Sequence, residues 1–182
     1  MELKFSLNEN DFLEHQLFLA SKTDRIKKQR RKSWILVTFI FFGLSVIFFQ
    51  TKNTIMVYYF LVLGIISLIF YPYYQKYHYR KHYQKYIRDT YKNRFDQIVT
   101  LKFEEDFIET SDMNGESKIN YSAFEEIIEI ENYFFLKLKT GGSIIIPKKL
   151  KLENIIDLKS ELVQKIEKYQ IKIKDELNWK WK

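Results

Sequence analysis

Apolar positions recur along this chain with different periods in different stretches. Residues 3–7 (Leu-Lys-Phe-Ser-Leu) alternate apolar and polar, the signature of a short strand with one buried face. Asp11–Thr23 then places Phe12, Leu13, Gln16, Leu17 and Ala20 at helical spacing. Before it, Asn8 and Asp11 have the form of a helix cap with an acidic partner three residues on. Residues 34–74 have no amphipathic period, and Lys52 is their only ionised side chain. They form two runs, Trp34–Gln50 of 17 residues and Thr54–Tyr74 of 21, joined by a turn at Thr51-Lys52-Asn53. As helices the runs extend about 25 Å and about 31 Å, against a hydrocarbon core of ~30 Å. A soluble core hairpin this apolar would need a large covering domain, and the rest of the chain holds none. The pattern predicts a transmembrane helical hairpin, with Pro72 marking the exit of its second helix.

Beyond the hairpin, Gln75–Arg94 continues as helix, with Tyr79, Tyr83 and Tyr86 on one side and basic residues between them. Two geometries suit it: it lies along the anionic leaflet, or it stands off the membrane as a stalk antiparallel to residues 11–32, the second being preferred because both helices adjoin the hairpin. Period-2 segments follow: 98–103, 107–110, 117–120, 126–131, 133–139 and 143–147. A hairpin turn is expected at Asp112-Met113-Asn114-Gly115, because Asn-Gly tolerates positive φ, and another at Gly141-Gly142. The period then returns to helical over 151–169, with Ile155, Leu158, Leu162, Ile166 and Tyr169 as the apolar stripe. Strands closed by one helix predict an α+β fold. The expected divisions are 1–32 (strand and amphipathic, basic helix), 33–74 (hairpin), 75–96 (basic, Tyr-rich juxtamembrane helix) and 97–182 (soluble domain).

Charge sets the orientation. The formal net charge of +7 divides into +9 on residues 1–96 and −2 on residues 97–182. Lys22, Arg25, Lys27, Lys28, Arg30, Arg31 and Lys32 precede the first run. Lys76, Arg80, Lys81, Lys85, Arg88, Lys92 and Arg94 follow the second. The connecting turn carries only Lys52, so both termini are expected in the cytosol of a plasma-membrane protein. Met1–Phe5 lacks the basic region and apolar core of a cleavable leader, so the hairpin reads as a retained anchor. Trp34 and the tyrosines at 71, 73 and 74 fall where interfacial aromatics belong. Lys27, Lys28, Arg30, Arg31, Lys32, Arg80, Lys81 and Lys85 are the candidate lipid-headgroup contacts, each such cation near an anionic leaflet contributing about 1 kcal/mol. With a membrane helix alongside, the anionic partner in reach is lipid, and no nucleic-acid partner is expected.

These residues resemble the YcxB-like proteins, a family of small bacterial membrane proteins. The likeness includes the opening strand, Phe12-Leu13 through Gln16-Leu17-Phe18, Ala20-Ser21 with its basic run, and two membrane helices. Its more specific part is Phe107-Ile108-Glu109-Thr110, Ser117-Lys118-Ile119-Asn120-Tyr121, Asn132-Tyr133-Phe134-Phe135-Leu136 and Ile144-Ile145-Ile146-Pro147-Lys148. Phe107 stands where the family often has Gly, and Tyr121 where Trp is common. The resemblance implies a pleckstrin-homology-like half-barrel capped by a C-terminal helix. It implies no catalytic residues.

The residues themselves suggest none either. With no cysteine, disulfides and thiolate metal sites are excluded. His78 and His82 have the i, i+4 spacing of zinc ligands but lack a third ligand, and basic neighbours surround them. His15 reads as a packing residue. Glu104-Glu105-Asp106 and Glu125-Glu126 read as strand ends and solvated faces. No nucleophile triad or Gly-rich phosphate loop is present, so neither enzymatic activity, nor a cofactor, nor a metal is expected. The expected role is a membrane-anchored interaction module for a protein partner, with a second copy of the chain as one candidate. Immunity to a membrane-acting toxin and anionic-lipid sensing are the alternatives.

Overall fold

The computed structural model describes residues 1–113, 115–150 and 152–182, the last segment with its side chains from Ile155 onward. Among them the chain is α+β, with four helices and two four-stranded sheets. In order these are β1 (Glu2–Ser6), α1 (Glu9–Lys22), α2 (Asp24–Gln50), α3 (Thr54–Tyr91), β2 (Ile98–Phe103), β3 (Phe107–Asp112) and β4 (Gly115–Asn120). There follow β5 (Phe124–Glu129), β6 (Tyr133–Leu138), β7 (Ser143–Pro147), α4 (Leu152–Tyr169) and β8 (Lys172–Asp175). The chain forms two compact units, one of residues 1–15 and 86–180, the other of 16–85 and 181–182.

The first unit holds both sheets. Its first sheet has the order β1-β2-β3-β4, all antiparallel. The alternation at 3–7 decides the register: Leu3 and Phe5 are buried and pair with Leu101 and Val99, while Glu2 and Lys4 face outward. The opening strand is therefore part of this domain, and the domain begins with it and not at Gln97. Asp112 pairs with Gly115 across the expected hairpin turn, and Gly115 has φ +131°. Asn114, on which the type of that turn was argued, lies outside the described residues.

The second sheet has the order β7-β6-β5-β8. It is buried on both faces along β6, where Tyr133 through Leu136 are all inside. Alternate side chains of β6 meet different helices. Phe135 takes the edge of the His15 ring at 4.8 Å, and Tyr133 bonds Asp11 of α1; Phe134 lies under Lys159 of α4. Helix α4 buries Leu158 and Leu162 of the expected stripe and stacks Tyr169 on the buried Tyr121. Gln170 adopts φ +53° after it, and Ile171 N–H bonds Ile166 O, a Schellman end that turns the chain into β8. No strand was expected at 172–175. Lys-Ile-Lys-Asp is exposed throughout and pairs with β5 in parallel, so burial left no pattern there to read.

The second unit is built on α2 and α3. The capped turn between them follows the sequence reading. Lys52 has φ +57°, Lys52 N–H and Asn53 N–H bond Phe49 O and Phe48 O, and Asn53 Oδ1 accepts Met56 N–H at 3.3 Å. Polar side chains mark the seam between the helices. Ser33 and Tyr71 share a hydrogen bond of 2.7 Å, Ser67 donates to Thr38 Oγ1 at 3.3 Å, and Ser45 donates to Val57 O at 3.0 Å. Gly64 gives Phe42 room: a Cβ there would stand 3.0 Å from its ring. Phe48 and Phe60 stack at 5.3 Å.

Pro72, expected at the exit of the second apolar run, lies inside a continuous helix, in keeping with the helical reading of Gln75–Arg94. Helix α3 runs unbroken for 38 residues, with the proline inside it. Pro72 has no N–H for the carbonyl of Leu68, and the Trp34 indole N–H donates to that carbonyl instead, at 3.2 Å. The expected boundaries at residues 33 and 75 likewise fall inside α2 and α3.

Candidate functional site

The eight candidate headgroup residues all belong to the second unit, on the opening turns of α2 and the later turns of α3. Lys27, Lys28, Arg31, Lys32, Lys81 and Lys85 are exposed, while Arg30 and Arg80 are half-buried. Lys27 stands 3.6 Å from Asp24, and the Lys81 ammonium lies 4.8 Å from the centre of the Tyr77 ring.

Arg30 is held on several sides. Its guanidinium lies 5.6 Å from the Tyr79 ring and 5.0 Å from the indole of Trp181, and it donates to Lys182 O at 2.8 Å. Its backbone carbonyl accepts the Gln75 amide at 2.9 Å. Trp181 in turn donates its indole N–H to Lys76 O at 3.1 Å. These contacts put residues 75–79 of α3 beside the start of α2.

Beside them lies a cleft of about 290 Å³ lined by Lys27, Arg30, Arg31, Trp34, Pro72 and Gln75. Three cations form one part of its wall and an indole and a proline ring the other. The sequence reading supplied the cations and Trp34. It missed Gln75, a lone amide one helical turn after Pro72, and Trp181, which no local pattern connects with α2.

The first unit has a cavity of about 300 Å³. Phe5, Leu7, Phe12, Leu101, Ile119 and Ile144 are among its mostly apolar lining, and its charged pair, Arg94 and Asp112, is matched internally at 3.3 Å. The cavity offers shape and a mostly apolar surface.

The remaining candidates are explained by packing. His78 stacks on Tyr74 at 5.7 Å and His82 lies against Tyr83. Among the described residues no group of three His, Cys, Asp or Glu comes together to hold a metal. Glu105 O accepts Lys165, and Asp106 binds Lys168 and the Tyr169 hydroxyl, so this acidic turn docks α4. The Tyr169 and Lys168 hydrogen bonds hold the Asp106 carboxyl below its ordinary range. Burial opposes ionisation of Glu126, but Lys174 and Lys137 outweigh it and keep its carboxyl low; Lys148 and Lys159 do the same for Glu129. On the loop after β7, Lys148 lies 2.7 Å from Glu129 and Lys149 lies 2.8 Å from Asp11, so both are matched within this unit.

A family model described as YcxB-like protein matches residues 103–159. All four C-terminal motifs quoted above lie inside that segment. No curated protein and no solved structure matches the chain.

Proposed function

With residues 103–159 YcxB-like, we propose that this chain is a membrane-anchored, non-enzymatic interaction module of the bacterial plasma membrane. Its hairpin crosses the bilayer twice, and its α+β unit is presented to a protein partner on the cytosolic face. The observation that carries the anchor is the outward turn of the apolar side chains on two long helices. Phe39 (71%), Phe49 (72%) and Ile55 (80%) are exposed, while Thr38, Ser45 and Ser67 are buried in the seam. In the most apolar stretch of each helix only 11% and 6% of residues are buried, far from the covered helix of a soluble core. Lipid is the solvent that suits such a surface.

The shared sheet supports the topology. β1 precedes the hairpin and β2 follows it, yet they pair along their length. Both flanks then lie on one side of the bilayer, as two crossings require. The basic residues at that end make it the cytosolic side. The unit itself is pleckstrin-homology-like in this proposal. Four antiparallel strands, three more, and then a helix follow the order of that half-barrel, with the hairpin inserted after the first strand and β8 added at the edge. The cavity in this unit is the surface offered to a partner.

Because the chain has no cysteine, single introduced cysteines test the topology cleanly. In intact cells Lys52→Cys is expected to react with an impermeant maleimide, and Lys4→Cys and Lys180→Cys only after permeabilisation. Labelling of the two ends from opposite sides, or a chain that stays in the supernatant of detergent-free ultracentrifugation, overturns the anchor. Crosslinking in intact membranes is expected to recover one specific protein. Recovery of none overturns the interaction role.

A further inference from the structure

We propose that the cleft formed by Lys27, Arg31, Trp34 and Pro72 seats the phosphate of one anionic phospholipid, a site distinct from the diffuse attraction of the basic collar. The proposal rests on the membrane reading above and makes it specific.

The cleft lies where the apolar run meets the basic run on both helices. Trp34 opens the first uncharged stretch, and Pro72 and Gln75 straddle the end of the second. That is the depth at which a lipid carries its phosphate and glycerol. Its two walls match the two ends of such a molecule. The indole of Trp34 has spent its N–H on Leu68 O, so what it offers the cleft is an apolar ring, beside that of Pro72.

The polar wall offers donors. Among the described residues Arg31 has no ion-pair or hydrogen-bond partner, and Lys27 has only its exposed neighbour Asp24 at 3.6 Å. Arg30 differs, because Trp181, Tyr79 and Lys182 already hold its guanidinium. It adds fixed positive charge to the wall. Arg31 and Lys27 bring N–H donors to the same wall, and a phosphate oxygen is the acceptor that suits charge-assisted hydrogen bonds from them. A zwitterionic lipid brings its own ammonium and gains less from three cations than an anionic one does.

The experiment uses the full-length chain, purified in a non-ionic detergent and stripped of lipid. It is titrated with short-chain phosphatidylglycerol or phosphatidylcholine and read by native mass spectrometry. One phosphatidylglycerol per chain is expected, bound roughly tenfold or more tightly than phosphatidylcholine. The double variant Lys27→Gln/Arg31→Gln is expected to lose that preference. Lys81→Gln/Lys85→Gln, which removes the same charge elsewhere on the collar, keeps it. Thermal melts of both variants report that they remain folded. An equal loss in the two variants, or no preference for phosphatidylglycerol in the native chain, overturns the seat while leaving the anchor standing. Displacement of the lipid by equimolar glycerol phosphate assigns the cleft to free phosphate and overturns the lipid assignment. A chain that is soluble and monodisperse without detergent overturns the membrane reading and the seat with it.

Discussion

Asp11 joins three segments of the α+β unit through one buried carboxylate. Its Oδ2 accepts the Asn8 backbone N–H at 2.7 Å and Lys149 at 2.8 Å, and its Oδ1 accepts the Tyr133 hydroxyl at 2.8 Å. Asn8 Oδ1 returns the cap by accepting Asp11 N–H at 3.1 Å. Asp11→Ala leaves the Tyr133 hydroxyl and the Asn8 N–H without this acceptor at a site that is 3% exposed, at an expected cost of about 2–4 kcal/mol, while the half-exposed Lys149 turns to water. Thermal melts in detergent check this. The loss is expected to shrink when Tyr133→Phe is already present, because one of the stranded donors is then gone.

His15, one turn further along α1, behaves differently. Burial pushes its imidazole down to about 4, and Nε2 has no hydrogen-bond partner among the described residues. The folded chain holds His15 neutral, whereas the unfolded chain protonates it near pH 6.5. Stability is therefore full above pH 6.5 and falls as pH drops towards 4, by about 2 kcal/mol between pH 7 and pH 5. His15→Phe, which keeps a ring against Phe135, is expected to flatten that window in pH-dependent melts. The loss below about pH 4.5, where the unfolded chain takes up protons on Glu126 and Glu129 that the folded chain still holds ionised, should survive the substitution.

At the scale of the element, α3 illustrates how a helix carries a proline through an apolar environment. Pro72 leaves the Leu68 carbonyl without its usual donor, and Trp34 of α2 supplies one. The two residues are coupled through that carbonyl. Trp34→Phe is expected to cost about 1 kcal/mol in the native chain and close to nothing in a Pro72→Ala background, where the backbone N–H returns. Unfolding in mixed micelles measures both. The sequence shows at Pro72 only a missing N–H at the exit of the apolar run. It does not see a donor 38 positions upstream. For α4 the local signal was enough: Leu158 and Leu162 of the period-3.6 stripe are the residues it buries.

For the molecule as a whole, the opening strand matters most. Because β1 is the first strand of a sheet whose other strands follow the hairpin, the hairpin is an insertion within a domain. The domain closes only after both helices have been made. The fragment 97–182 lacks β1, the Asp11 hub and the buried Leu13, and is expected to be unfolded or aggregated. Residues 1–15 joined by a flexible Gly/Ser linker to 86–182 restore the complete unit. That chimera is expected to be soluble, with mixed helix and strand circular dichroism and cooperative melting, in the absence of detergent.

The sequence by itself determined what depends on short range. The two lipid-length runs, their capped turn, the cap at Asn8 and Asp11, the alternation of the strands and the stripe of α4 all follow from spacing between near neighbours. Only the tertiary structure decided which distant groups meet. It brought β1 onto β2, β8 alongside β5, Trp34 to the Leu68 carbonyl, and Arg30 beneath Trp181. The reason is physical. Period and propensity record which face a residue turns to water or lipid, whereas a hydrogen bond or ring contact across the chain is recorded only by the packing that brings its two partners together.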